Sequence, residues 1–136
     1  MPQRYPDWPR RLSSFVAERR SLPYAYSVND CGSFAVDAIH ALTGHQFVPG
    51  DERPTSRIGA ARFLVPFGGS VETWIESLLG ARLETPRMAQ RGDIVSFEAA
   101  GENHLALVVG AVAATPGPKG LLWVPARLWR TGWKVG

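Results

Sequence analysis

Apolar residues recur at helical spacing through the first half of the chain and at strand spacing through the second. Trp8, Leu12, Phe15 and Val16 form a first stripe, and Arg10, Arg11, Glu18, Arg19 and Arg20 fall on its water side. A helix is predicted there from a cap at Asp7 or Trp8, with Pro9 tolerated in the first turn. Residues 22–28 then read as an extended approach, because Pro23 holds its predecessor away from helix. Phe34, Ala35, Ala38, Ile39 and Leu42 make a second stripe, opened by Asp30 as N-cap and closed by Gly44. After a polar loop at 45–54, Thr55 or Ser56 starts a short helix to about Leu64, stopped by Pro66 and Gly68-Gly69. Ser70 caps a fourth helix with Val71, Trp74, Ile75, Leu78 and Leu79 on its stripe and Gly80 after it.

From Gly92 onward the texture becomes strand-like. Strands are predicted at 93–97, 104–109 and 121–124, with turns at 99–102 and 115–120 and an edge strand at 133–135. Helices first and strands second predict one α+β domain over residues 1–136, with N-terminal helices packed on a C-terminal antiparallel β-meander.

Composition narrows the function classes. The chain has 136 residues, 45% of them hydrophobic, enough for a single buried core without disulfides or metals. Its one cysteine forms no internal disulfide, and Cys and His lack zinc-ligand spacing, so neither a metal nor another cofactor is expected. The net charge of +3 suits an anionic surface, but the basic residues are scattered and nucleic-acid binding is not expected. The first seven residues carry no apolar signal-peptide region, which predicts synthesis in the cytoplasm without a signal peptide. No apolar run approaches the roughly 20 residues of a membrane span.

Candidate chemistry lies at the start of the second helix. Cys31 follows Asp30 in the first helical turn, where the positive end of the macrodipole favours a thiolate. The plain alternative is a small buried core residue. His104 opens a strand, sharing a face with Ala106 and Val108, and the small Ala106 leaves space for a helix end to approach. His40 is nine residues past Cys31, about 180° around the helix, and points away. His45 reads as a loop residue. A Cys–His pair is the minimal unit of thiol nucleophilic catalysis.

Asp30-Cys31 at a helix start, Gly92-Asp93-Ile94-Val95, and His104-Leu105-Ala106-Leu107-Val108-Val109-Gly110 together resemble the NlpC-type papain-like cysteine peptidases. The resemblance covers roughly residues 24–109 and implies a papain-like core with Cys31 as nucleophile and His104 as general base, within about 4 Å of each other. The Cys31 amide, helped by a Tyr24 or Tyr26 hydroxyl, would stabilise the oxyanion, and Asp30 would stand beside the substrate. The implied substrate is a bacterial cell-wall stem peptide. The layout also resembles small proteins of this type encoded among phage tail and gene-transfer-agent genes, which makes tail proteins the expected partners. Two departures stand out. Gly32-Ser33 replaces the family's usual Ser-Gly, and no His, Asn, Gln or Asp follows His104 where an orienting residue would lie; Thr115 is a poor substitute. Asp93 reads as a structural residue at a strand start. The alternative function is a non-catalytic structural module of a tail tip, and a further one is an acyltransferase or amidase on the same scaffold.

Overall fold

Asp30 sets the start of the central helix. In the computed structural model, which describes residues 2–136, its carboxylate accepts from the Ser33 amide at 2.9 Å and α2 (Cys31–Thr43) begins at the next residue. Such a cap stabilises a helix by about 1 kcal/mol. Gly44, at φ 79°, ends α2 in the left-handed conformation. Before it, α1 (Trp8–Arg19) starts after Asp7, but that carboxylate engages Arg10 and Arg11 instead of a helix amide. Ser56 and Ser70 each accept from the amide three residues on and open α3 (Arg57–Phe63) and α4 (Val71–Leu79). Pro66 sits inside a 3-10 turn, Val65–Phe67, that follows α3.

The second half forms β1 (Ile94–Ala99), β2 (Glu102–Val108), β3 (Val112–Gly117), β4 (Gly120–Pro125) and β5 (Trp129–Trp133). They make one antiparallel sheet in the order β4-β3-β2-β1-β5. Four strands are thus a meander, and β5 crosses to the far edge to pair with β1. Among the described residues the architecture is therefore α+β, four α-helices with a five-stranded antiparallel sheet.

Two strand predictions need correction. β3 occupies Val112–Gly117, where Thr115-Pro116-Gly117 read as the start of a turn. The reason is local: β3 pairs with β2 only at Leu107↔Ala114 and Val108↔Ala113, so its later residues have left β2 and Pro116 lacks no ladder bond on that side. The last strand runs through Trp129–Trp133 and not 133–135; Val135 is buried and its amide donates to Asp93.

The sheet buries both faces. On one, Ile94, Leu105, Leu107 and Ala114 pack under Phe34, Ala35, Ala38, Ile39 and Leu42 of α2 and Leu12 and Phe15 of α1. On the other, Val95, Ala106, Val108 and Ala113 pack with Val124 and Trp129, beside Ala89. Trp129 is held there by its indole N–H, which donates to the Val124 carbonyl at 3.0 Å. This two-sided burial decides where the candidate residues point. No helix among the described residues is long and apolar enough to cross a membrane.

Candidate functional site

Cys31 is the first residue of α2 and is partly exposed. Its sulfur lies against the Leu105 amide, which β3 leaves free because the β2–β3 pairing stops at Leu107. The Leu105 carbonyl accepts from the Thr115 hydroxyl at 2.9 Å. The Thr115 hydroxyl thus satisfies the Leu105 carbonyl where the sheet splits, and the thiol sits beside the Leu105 amide. Burial is the largest influence on the thiol and pushes it up. The amides of Leu105, Gly32 and Cys31 pull it down, the Asp30 carboxylate adds to the rise, and the pKa stands at about 11. Desolvation and a neighbouring negative charge thus act against the thiolate that the helix terminus would favour.

His104 does not join it. Its ring stacks on Phe97 with centroids 5.4 Å apart, and its Nε2 lies 3.2 Å from the Ala99 carbonyl oxygen. Phe97, the cross-strand partner of His104, packs with the Ala106 and Val108 cluster, whereas Cys31 packs with the Leu105 and Leu107 cluster. Strand alternation puts residues 104, 106 and 108 on the face away from α2. Thiol and imidazole therefore pack with opposite faces of β2, and among the described residues no hydrogen bond joins them.

The remaining residues have identifiable places. Asp30 is engaged as a cap: one oxygen takes the Ser33 amide, and the other takes the Ser33 hydroxyl and the Ser27 amide, both at 2.8 Å. Tyr24 stands near enough to Cys31 and Asp30 for their charges, after burial, to raise its phenol. Its backbone amide is anchored on the Gly117 carbonyl at 2.9 Å. Tyr26 meets Tyr24 edge-on at 5.5 Å and does not line the pocket described below. Thr115 binds backbone and not a histidine ring. His40 and His45 are exposed, the latter edge-on to Phe47. Asp93 is structural, accepting from Arg4 at 2.8 Å, from the Val135 amide at 3.0 Å and from the Gln90 amide at 2.8 Å. Among the described residues no group of His, Cys, Asp and Glu could hold a metal ion.

One cluster escaped the sequence reading. Asp37, on α2, is bridged by Arg19 at 2.7 Å and by Arg53 at 2.6 Å. Burial raises its carboxyl, and the two guanidinium groups more than reverse this, holding it below the usual range. Arg53 also donates to the Val48 carbonyl at 3.0 Å, and Arg19 to the buried Asn29 at 3.1 Å. Asn29 in turn holds the carbonyls of Leu22 and Pro23. Arg19 therefore belongs to this network and not to the water side of α1. The available signal was the lone acid inside the apolar run Phe34 to Leu42.

Beside the thiol is a pocket of about 110 Å³. Val36, Val71, Trp74, Phe63 and Leu64 give it apolar walls, and Cys31 and Tyr24 share its lining. Its two charged lining residues, Asp30 and Arg53, are the cap and the ion pair already described. The family model described as Domain of unknown function (DUF6950) matches residues 3–135. No curated protein matches the chain.

Proposed function

We propose, for a chain that belongs to the family Domain of unknown function (DUF6950), a papain-like module that binds through its Cys31 pocket and does not hydrolyse, serving as a structural component of a phage-tail-type particle. The observation that carries this is the orientation of His104, whose ring stacks on Phe97 away from the α2 face. A general base must come within hydrogen-bond reach of the nucleophile, directly or through one water. Here β2 intervenes. A thiol with a pKa of about 11 is almost wholly protonated at neutral pH, and the Asp30 carboxylate is already committed to three donors of its own helix start. The papain-like part of the reading is supported by a cysteine at the N-terminus of a helix that packs on an antiparallel sheet. The tail setting is supported by the sequence resemblance alone.

The second reading, a cysteine peptidase or amide hydrolase acting on cell-wall peptides, is favoured by one specific feature. Cys31 opens α2 behind Asp30 and lines an open pocket. That reading requires His104 to reach the other face. A one-residue slip of β2 would do so, but it would also turn every side chain of the strand over and remove Leu105 and Leu107 from the core.

The two are separated by incubating wild type and Cys31→Ser with purified peptidoglycan and soluble muropeptides and following products by mass spectrometry. Equal absence of products, with the fold confirmed, is expected for the binding module. Release of peptides by the wild type alone would replace it with the hydrolase. In particles, Cys31→Ser is expected to leave both assembly and infectivity intact. Normal assembly with lost infectivity would favour an enzyme carried by the tail.

A further inference from the structure

We propose that a groove along α1 holds an extended acidic segment of a protein partner, its carboxylates on Arg20, Arg91 and Lys119 and its apolar side chains between them. The groove shares no lining residue with the Cys31 pocket, so the proposal stands or falls independently of how that pocket is read.

The three cations are scattered in sequence, and the fold gathers them around two depressions that meet at Arg20. Leu12, Val16 and Ala17 of α1 line the first, joined from the second half of the chain by Arg91 and Val109. Lys119, Leu121 and Leu122 of the β3–β4 hairpin line the second. Backbone contacts dock that hairpin on the end of α1. The Leu121 amide donates to the Arg20 carbonyl at 3.0 Å, and a Cβ on Gly120 would fall 2.4 Å from the same oxygen. Only glycine permits this approach, which sets Lys119 beside Arg20. Arg91 is placed by its Nη2, which donates to the Ser13 hydroxyl at 3.3 Å, and by the Trp8 ring, 5.9 Å away. Neither contact neutralises its charge.

These charges are unbalanced. Among the described residues, Arg20, Arg91 and Lys119 join no ion pair, and no Asp or Glu lines either depression. Glu18, the acid nearest Arg20 in sequence, stands about 160° around α1 from it. Three like charges along one groove attract an anion. The lining then decides which kind. Among the described residues no aromatic ring lines the groove, so a nucleic acid would find charge and no stacking platform. A bilayer is planar and would leave the recessed floor of Leu12, Val16 and Val109 unfilled. A peptide supplies both parts: carboxylates for the cations and apolar side chains for the floor. Ser13, which holds Arg91, and Arg20 are separated by about 10 Å along the helix axis. An extended chain spans that in about three residues, so acids at every third position meet successive cations.

The test is fluorescence anisotropy with the intact chain and a fluorescein-labelled peptide of three glutamate–leucine–serine repeats. Saturable binding with a Kd below about 1 mM is expected at low salt, weakening as salt rises. Lysine in place of glutamate is expected to abolish it, and serine in place of leucine to weaken it. Arg20→Glu and Arg91→Glu should each weaken it at least about fivefold, because a reversal removes an attraction and adds a repulsion. Lys119→Glu, on the hairpin, serves the same purpose should Arg91→Glu fail to fold by circular dichroism. Arg62→Glu changes the net charge equally from outside the groove and is expected to stay within about twofold. The proposal is overturned if the peptide does not bind below about 1 mM, if its lysine or serine counterpart binds as tightly, or if Arg62→Glu weakens binding as much as Arg20→Glu. Tighter binding of a thymidine oligonucleotide, or of vesicles made of equal parts phosphatidylserine and phosphatidylcholine, would also overturn it. So would self-association, measured by sedimentation, that Arg20→Glu abolishes, since the occupant would then be a second copy of this chain.

Discussion

Cys31 and His104 lie on opposite faces of β2: the Leu105 amide, one residue from the imidazole, meets the thiol, while the imidazole itself rests on Phe97. The arrangement converts a sequence that reads as a catalytic pair into two separate structural roles. The thiol sits beside the Leu105 amide where β2 and β3 part, and the imidazole stacks on Phe97 at the margin of the second core. Each role makes a measurable claim.

The thiol should be sluggish. With a pKa of about 11 against about 8.5 for a free cysteine, the thiolate fraction at pH 7 falls by more than two orders of magnitude. The greater nucleophilicity of a more basic thiolate recovers part of that. Alkylation of Cys31 by iodoacetamide at pH 7 is therefore expected to be about twentyfold slower than that of a model thiol. His104→Ala should leave the rate within twofold. A wild-type rate above the model thiol, or a marked slowing in His104→Ala, would restore the ion pair.

The same raised pKa ties stability to alkaline pH. An acid whose folded pKa exceeds its unfolded one contributes fully below the unfolded value, and that contribution is lost as pH rises through the folded value. For Cys31 the window runs from about pH 8.5 to about 11. Urea titrations at pH 8 and pH 10.5 should show the wild type losing about 2 kcal/mol more than Cys31→Ser. Parallel losses in both proteins would mean that the sulfur is well solvated.

Asp37 links three segments that share no other ion pair with one another among the described residues: α1 through Arg19, α2 through itself, and the 45–54 loop through Arg53. Removing one member of a largely buried pair leaves uncompensated charge on the other. Asp37→Asn keeps the shape and strands two guanidinium groups, so a loss of about 3 kcal/mol is expected in urea unfolding. Because the Asp37 carboxyl is held low, this contribution persists at neutral pH and disappears as pH falls below the ordinary carboxylate range. The gap between wild type and Asp37→Asn should accordingly narrow below pH 4. A gap that is the same at pH 3 and pH 7 would assign the effect to packing.

Much of the helical half was legible because its boundaries are chemical. Asp30, Ser56 and Ser70 cap, Gly44 and Gly80 stop, and the stripes between them are unambiguous. β3 was hidden because Pro116-Gly117 carries turn chemistry, and only the splaying from β2 makes a proline acceptable there. The candidate site failed on one missing bit of information. Alternation along β2 correctly grouped His104 with Ala106 and Val108, but both faces of this strand are apolar. Nothing in the run Leu105-Ala106-Leu107-Val108 says which face α2 will cover. The bulkier pair, Leu105 and Leu107, took the helices, and Trp129, too distant in sequence to be weighed, closed the other side.

Gly92 and Arg4 provide the sharpest test of how the two chain ends are joined. Arg4 donates to the Val135 carbonyl at 2.7 Å, to the Arg91 carbonyl at 2.9 Å and to Asp93 at 2.8 Å, so its guanidinium bridges the start of the chain, the start of β1 and the segment after β5. Gly92 lies directly beneath. It sits at φ 92°, and a Cβ there would fall 2.6 Å from Arg4 Nη1. Gly92→Ala thus adds backbone strain of about 1–3 kcal/mol to the loss of a clamp that cannot retreat without breaking its own bonds. Gly101, at φ 76° with open space around it, carries the strain without the clash. Gly92→Ala is expected to destabilise by at least about 2 kcal/mol more than Gly101→Ala, since hydrogen bonds to a charged group contribute about 1.5–3 kcal/mol each. In an Arg4→Ala background the clash partner is gone, and Gly92→Ala should cost only the strain. A double-mutant cycle measures this directly. Additive effects of the two substitutions would show that the clamp yields freely and that Gly92 is needed for its backbone conformation alone.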